Sequence, residues 1–581
     1  MKKGIYIVCI IVIVTLTVAI AVTANSVGDN EAMELNARST EKYAQENVRT
    51  YLKDTPDDPE KVINVVSKEF GAVGDGKKDD SKAIQKAMDK AKKLGGGIVF
   101  FPRGTYRTTL NINLYSNTSI SGKDAAVIKD DSKKDYSVFV IGTNQHDVVI
   151  EGLAITNKRK VSGIGIDFST GASNVWIQGN KFSGQSNQSI NMNALRIKHV
   201  QISDNQFNKV SYGILTNKQA KDLTDVRVLN NQFIDIYSDG IELNHPGTVN
   251  EAGENFVISG NFISVPKGVG TSKGAGFGIG IAGASNITII GNIIDKARYE
   301  AIHIEDEANH ILITGNIINS VQNDPDVGLN SGIYIIDGDF ITISNNTVKQ
   351  ADDYGIHLEY ATDKQASNVI ITGNTLTGNK KGGMRVSSFR EDSNIIVSQN
   401  IVTDNFGDGM RVDGEIGNLK LTDNIFDNNK GYGIYVMRSG PGWFISGNSF
   451  TGNEQGNIGI SDSVKTPVPI RTQTVVIKSQ TSAIVDEGYE TPLENVFSLG
   501  SGADGVLYVS VKQGKISRTE MYKINWDGAS LTQSNLAADA DGDLAIKPPL
   551  MNGSQLQLQA VGEKDGNIDM EVHYEGMIML K

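Results

Sequence analysis

The 581-residue chain is 39% apolar and 21% charged, enough to bury a large core but too long for one ordinary compact domain, so several parts or a repeat array are expected. Its 62 glycines, 12 prolines and single cysteine exclude collagen-like, proline-rich and disulfide-scaffold classes, and suit many tight turns between short strands. A net charge of −12 argues against a general partnership with nucleic acid, whose binding needs Lys and Arg to neutralise phosphates.

Lys2 and Lys3 precede an apolar run over residues 5–22, followed by Thr23 and Ala24 and then polar sequence. This is an export signal. It fits either a cleaved signal peptide, with Val22 and Ala24 as the small-residue site, or a retained anchor that would make the membrane a partner. Residues 1–24 are assigned to it, and the protein is expected outside the cytoplasm, secreted or held at the cell membrane. Cys9 lies inside the segment, which leaves the rest of the chain without thiol chemistry. Residues 25–61 are polar with a weak helical pattern ending at Pro56 and Pro59, and read as a stalk.

Next come Phe70-Gly71-Ala72-Val73-Gly74-Asp75-Gly76 and Asp79-Asp80-Ser81, then a helix with Ala83, Ile84, Ala87, Met88, Ala91 and Leu94 on one face. Asp80 or Ser81 is expected to cap it through a side-chain oxygen. Gly95-Gly96-Gly97 stops the helix, and residues 98–101 form a buried strand before Pro102 and Gly104. This order resembles the entrance of the pectate-lyase-like superfamily of right-handed parallel β-helix proteins, which includes polygalacturonase-type hydrolases, polysaccharide lyases and epimerases, and phage tailspikes. The resemblance implies that the helix plugs the open end of a solenoid, whose terminal repeats must differ from its internal ones.

Over about 136–463 the unit Gly-apolar-x-apolar, then Asn-apolar-x-apolar-x-x-Asn-x-apolar, recurs from Gly163, Gly213, Gly240, Gly278, Ala301, Gly332, Gly355, Gly383, Gly409 and Gly433. Three short strands per unit, alternating inward apolar and outward residues, predict an all-β solenoid of about twelve coils over residues 62–466, each coil stable only when stacked. The recurring Asn (Asn180, Asn205, Asn231, Asn261, Asn292, Asn316, Asn346, Asn374, Asn400, Asn424, Asn448) is expected to take the left-handed backbone region and to bond its equivalents in neighbouring coils. After Pro467 and Pro469 the repeat is lost, and residues 467–581 read as a small antiparallel β domain. No resident cofactor is expected. The acidic loop Asp539-Ala540-Asp541-Gly542-Asp543 is the one place where Ca²⁺ would fit, although it lacks a closing bidentate Glu and reads as a polar hairpin turn.

In-register stacking turns equal offsets into rows. One outward row reads Glu242, Gly280, His303, Tyr334, His357, Arg385, Arg411 and Tyr435; the next includes Glu305, Glu359 and Asp413. Aromatic rings suit sugar faces, while carboxylates and arginines bond hydroxyls or acidic groups, so the expected partner is a polysaccharide. His303, Glu305, Asp306, His357 and Glu359 are the catalytic candidates: the histidines as acid or base, and Glu305 with Glu359 at roughly 9 to 10 Å, two strand spacings, as a carboxyl pair of the kind that hydrolyses glycosides. Glu242, Tyr334, Asp337, Arg385, Arg411, Asp413 and Tyr435 are the substrate-binding candidates, the two arginines suiting β-elimination on an acidic sugar. Three inserted stretches, 244–254, 266–277 and 319–330, are placed to wall a cleft. The Asn-Thr-Asp, Asp-Asp, Gly-His-Gly, Arg-Ile-Lys series of polygalacturonases is missing, since Arg196-Ile197-Lys198 comes too early and Asp352-Asp353 lacks its partners. The Asp-Pro-His signature of alginate epimerases is absent too. The alternative to an enzyme is a non-catalytic appendage or adhesin with the solenoid as spacer, for which a homotrimer is expected.

Overall fold

The computed structural model describes residues 62–464, apart from 133–135, 158–162, 218–219, 245–253, 266–275, 322–329, 360–365 and 463, and most of 468–580. The export segment, the stalk, most of the three inserted stretches and residues 541–543 of the acidic loop therefore lie outside the described residues.

The repeat folds as expected, into a parallel β-solenoid of about 13 turns. One strand of each coil joins a 14-stranded parallel sheet, and the other two join a second sheet that turns a corner. The inward positions are Ile, Val, Leu and Phe, almost all fully buried in one continuous core. Phe182, Phe207 and Phe233 stack on one another there with centroids 4.8 and 4.5 Å apart. The register adds a coil missed by the sequence repeat: Ile190 pairs with both Ile166 and Ile214, so Ser189 stands where neighbouring coils have Gly165 and Gly213, and the first start is Gly165 rather than Gly163. Glycine suits that row because coils approach closely, a Cβ at Gly383 falling 2.5 Å from Gly409 O and 2.2 Å from Val402 Cγ1.

The asparagine ladder forms, but its backbone differs from expectation. Asn316 donates through Nδ2 to Ile289 O (2.9 Å) and Asn346 Oδ1 (3.0 Å), while its own Oδ1 accepts the N–H (2.9 Å) and Nδ2 (3.0 Å) of Asn292. The left-handed residue is the one before it in each coil, among them Gly315, Asn230, Asn345 and Asp423. That leaves the ladder asparagine free to aim its amide along the axis. A second ladder, Asn379, Asn405, Asn429 and Asn453, follows the third strand.

The helix Ser81–Lys93 buries Ile84, Ala87, Met88 and Ala91 against the first coil, as a plug should. Neither expected capping side chain caps it. Asp80 accepts the N–H groups of Val73 (2.8 Å) and Gly74 (3.1 Å), and Ser81 Oγ accepts those of Thr109 (2.8 Å) and Leu110 (3.2 Å). Both serve the flanking loops, pairing backbone N–H groups that the loops themselves leave without partners. At the other end, Ile470 pairs with Ile445 and residues 473–476 pair with 448–451 in parallel, so pairing of the coils continues past Pro467 and Pro469. The same strands then pair antiparallel with Gly566–Leu580, which begins the small C-terminal antiparallel sheet.

Candidate functional site

The 14-stranded sheet carries the row read from the sequence. Glu242 pairs with Gly280, Gly280 with His303, and the series continues through Tyr334, His357, Arg385 and Arg411 to Tyr435. In the next row Glu305 stands beside Ala282, and Asp413 beside Ser387. A further row, not anticipated from sequence, contacts the first: Asp239, Phe277, Glu300, Ser331, Tyr354, Gly382, Asp408 and Tyr432, each just before a coil-starting residue. Alternation breaks at that start, where a Cβ on Gly240 would point at Ile263 Cγ2 (3.0 Å) in the core. Counting every second residue from the glycine therefore skips these positions. Their acidic and aromatic content in successive repeats was the available signal.

Packing between rows buries what the sequence suggested was a solvated surface. His303 is 7% exposed, Tyr334 3% and His357 not at all. Phe277 stacks on His303 with centroids 4.5 Å apart, and Tyr334 lies between His303 (5.4 Å) and His357 (5.0 Å).

At the N-terminal end of the row the chemistry is that of shared protons. Asp239 is buried, and its Oδ1 accepts the N–H groups of Gly276 (2.6 Å) and Phe277 (2.7 Å). Burial, the charge of Asp239 and a hydrogen bond to it push Glu242 up to about 9, and burial raises Asp239 as well. Two carboxyls so close hold one proton between them. Asn244 Nδ2 donates to Glu242 Oε1 at 3.3 Å.

Two strands away, His303 lies between Glu300 (Nδ1 to Oε2, 3.6 Å) and Glu305 (Nε2 to Oε2, 3.4 Å). Burial opposes its charge, but the two carboxyl partners outweigh burial and raise it to about 9. The imidazole is thus a cation at neutral pH. The Glu305 side chain is 36% exposed and faces solvent, whereas that of Glu300 is buried.

Further along, His357 Nε2 is 3.0 Å from Glu359 Oε2 and 3.2 Å from an Arg385 terminal nitrogen, and its Nδ1 is 3.3 Å from Ser331 Oγ. Arg385 Nε donates to Asp413 (2.7 Å), as does Arg411 Nε (3.0 Å). Burial pushes Tyr354 up to about 12 and raises Tyr334 too, so both stay protonated. Asp306 sits beyond the strand in a left-handed turn (φ 57°), and Asp337 is buried, its Oδ1 accepting the Glu307 N–H at 2.8 Å. Among the described residues no cluster of His, Cys, Asp and Glu is placed to hold a metal ion, and no helix is long and apolar enough to cross a membrane.

Two family models match the coils that carry this face. One, described as "Right handed beta helix region", matches residues 271–390 and 330–475; the other, "Rhamnogalacturonase A/epimerase, pectate lyase-like", matches 62–323. The chain belongs to the pectate-lyase-like superfamily of right-handed β-helix proteins.

Within that superfamily the local likenesses are diverse. Eighty-four residues, 14% of this chain and 8% of the relative, are 39% identical to alginate lyase 7 of Azotobacter vinelandii. Sixty-two residues, 10% of this chain and 9% of the relative, are 48% identical to plasmin and fibronectin-binding protein A of Streptococcus pneumoniae. The chain thus matches less than a tenth of the length of either relative. The crystal structure of the Dettilon tailspike protein aligns at 14% identity with a TM-score of 0.36, covering 89% of this chain and 95% of that one. As for the superfamily's strings, Arg196-Ile197-Lys198 leads into the strand Lys198–Ser203 of the cornered sheet, off this face, with Arg196 in a turn at φ 54°.

Proposed function

We propose that this β-helix protein is an extracytoplasmic glycan-processing enzyme. It lays a polysaccharide along the parallel face and cleaves it by general acid–base hydrolysis, Glu242 giving a proton to the leaving oxygen and Glu305 activating water. The observation that carries the reading is the Asp239–Glu242 pair, which keeps a carboxylic proton available at neutral pH two strands from the solvent-facing Glu305. Cationic His303 orients Glu305 and is no base below about pH 9, so the face offers a carboxylate, which suits water activation better than removal of a carbon-bound proton. Glu359, Arg385, Arg411, Asp413 and Tyr435 continue the surface on which the polymer lies, with His357 buried beneath it.

A panel of alginate, pectic, capsular and other cell-surface polysaccharides tests this. New reducing ends without ultraviolet-absorbing products support hydrolysis, and Glu242→Gln or Glu305→Gln should abolish them. Unsaturated products would replace hydrolysis by β-elimination, in keeping with the lyase name of one relative. The local identity to a plasmin- and fibronectin-binding protein favours a second reading, a surface adhesin. Binding without cleavage, with a trimer in light scattering, would establish that reading instead.

A further inference from the structure

The C-terminal end of the same face holds an arrangement that the acid–base chemistry does not use. Tyr432 and Tyr435 project from the strand Tyr432–Val436 with their rings nearly parallel, 12° apart in plane and 5.4 Å between centroids. Their register partners on the next strand, Gly456–Ile460, are Gly456 and Gly459, and that strand ends the sheet. Neither register partner therefore carries a side chain over the tyrosines, and both rings stay partly exposed. In the middle of the row the corresponding rings are enclosed: Tyr334 is buried between two histidines, and Tyr354 packs on His357. The glycine is a condition of the arrangement, because a Cβ at Gly459 would fall 2.6 Å from Tyr432 ring atoms and push the ring aside.

Arg411 adds a polar edge. Its guanidinium carbon lies 5.5 Å from the Tyr435 centroid, its only hydrogen bonds among the described residues run from Nε to Asp413, and its side chain is 32% exposed, so its terminal N–H groups are available to a ligand. A flat apolar surface with outward N–H donors at its rim is what a pyranose ring needs: one face to stack and hydroxyls to bond. Tyr435 stands five register steps from His303, about 24 Å at roughly 4.8 Å per strand. A polymer running along the axis spans that distance with several sugar residues; a short fragment does not.

We infer that Tyr432, Tyr435 and Arg411, beside the two side-chain-free positions Gly456 and Gly459, form a distal sugar-stacking subsite that makes the protein select long polysaccharide chains over short ones. This rests on the reading of the face as a glycan-processing surface.

The test measures kcat/KM on sodium alginate and on a trisaccharide prepared from it, or on the same pair from whichever polymer the panel selects. Wild type should prefer the polymer. Tyr435→Ala and Gly459→Val should each reduce the polymer-to-trisaccharide ratio about tenfold, the equivalent of one lost ring contact. Tyr435→Phe should keep the ratio, and unchanged thermal melts show that the variants are folded. Equal preference in wild type, or a ratio untouched by Tyr435→Ala and Gly459→Val in folded protein, overturns the subsite while leaving the glycan-processing reading intact. Failure of wild type to bind or cut any polymer or fragment overturns both.

Discussion

Glu242 carries its carboxyl beside that of Asp239, whose Oδ1 is already committed to the backbone N–H groups of Gly276 and Phe277. Because that commitment fixes Asp239 in place, Glu242 cannot escape it by rotating Asp239 away, and burial with the neighbouring charge lifts Glu242 to about 9. Replacing Glu242 by Gln keeps the shape and removes the transferable proton. The expected loss in kcat is about 10²–10⁴-fold, the usual contribution of a general acid, with KM little changed. Wild-type turnover should fall as pH rises through about 9, and a steady-state pH profile on the cleaved polysaccharide measures both effects.

Stability should show the same groups without any substrate. Glu242 has its folded value raised from 4.5 to about 9, and His303 from 6.5 to about 9. In each case the folded state holds a proton that the unfolded chain releases earlier, so stability falls with pH between the two values. The contribution of Glu242 is full below 4.5 and that of His303 full below 6.5, and both are lost as pH rises through about 9. Denaturant midpoints across that window should therefore decline with pH. Glu242→Gln should flatten the decline over the whole window, and His303→Gln only its upper part. A midpoint independent of pH in wild type would contradict the arrangement of both groups.

The sequence showed the solenoid because one requirement, an inward apolar residue at every second position, repeats in every coil, and stacking makes equal offsets into neighbours. For the same reason the row from Glu242 to Tyr435 was legible, each pairing following from the repeat alone. What escaped was whatever depended on departures from strict alternation. Asp239, Glu300 and Tyr432 sit just before the kink at the small residue that starts each coil, so a count begun there passes over them. Ser189 hid one coil by standing in the glycine row. Burial was also misjudged: His357 reads as an outward residue, yet Tyr334, Tyr354, Ser331 and Arg385 close around it. Side chains from adjacent rows enclose it, and no single repeat contains that information.

The asparagine ladder makes a prediction that separates structure from chemistry. Asn316 satisfies two amide donors and two acceptor contacts with its neighbours, all buried. Asn316→Ala leaves the Asn292 N–H and the Ile289 carbonyl without it, at about 1–3 kcal/mol for each group left unsatisfied. Asn316→Asp keeps the acceptor and, while the carboxyl is protonated at low pH, one of the two donations, so its cost should be intermediate there and larger at neutral pH, where both donations are lost and a charge is buried. Urea unfolding of the two variants at both conditions gives the comparison.

Phe207 offers the sharpest test of how local the solenoid's stability is. Its ring is fully buried and stacked between Phe182 at 4.8 Å and Phe233 at 4.5 Å, one coil on either side. The coils are held at strand spacing by their own ladders, so the neighbouring rings cannot collapse into the space that Phe207→Ala would leave. The cost should lie near 3–5 kcal/mol, the upper part of the range for core truncations. In a repeat array each coil contacts only the next, so the damage should stay near its origin. Hydrogen exchange should quicken in the strands Lys181–Ser183, Gln206–Asn208 and Gln232–Ile234, which carry the three rings. The strand Ile302–Glu305, several coils away, should keep its protection, and with it the pairing of His303 and Glu305. Loss of protection along the whole parallel face would instead mean that the solenoid unfolds as one unit, and that the candidate site depends on packing far from it.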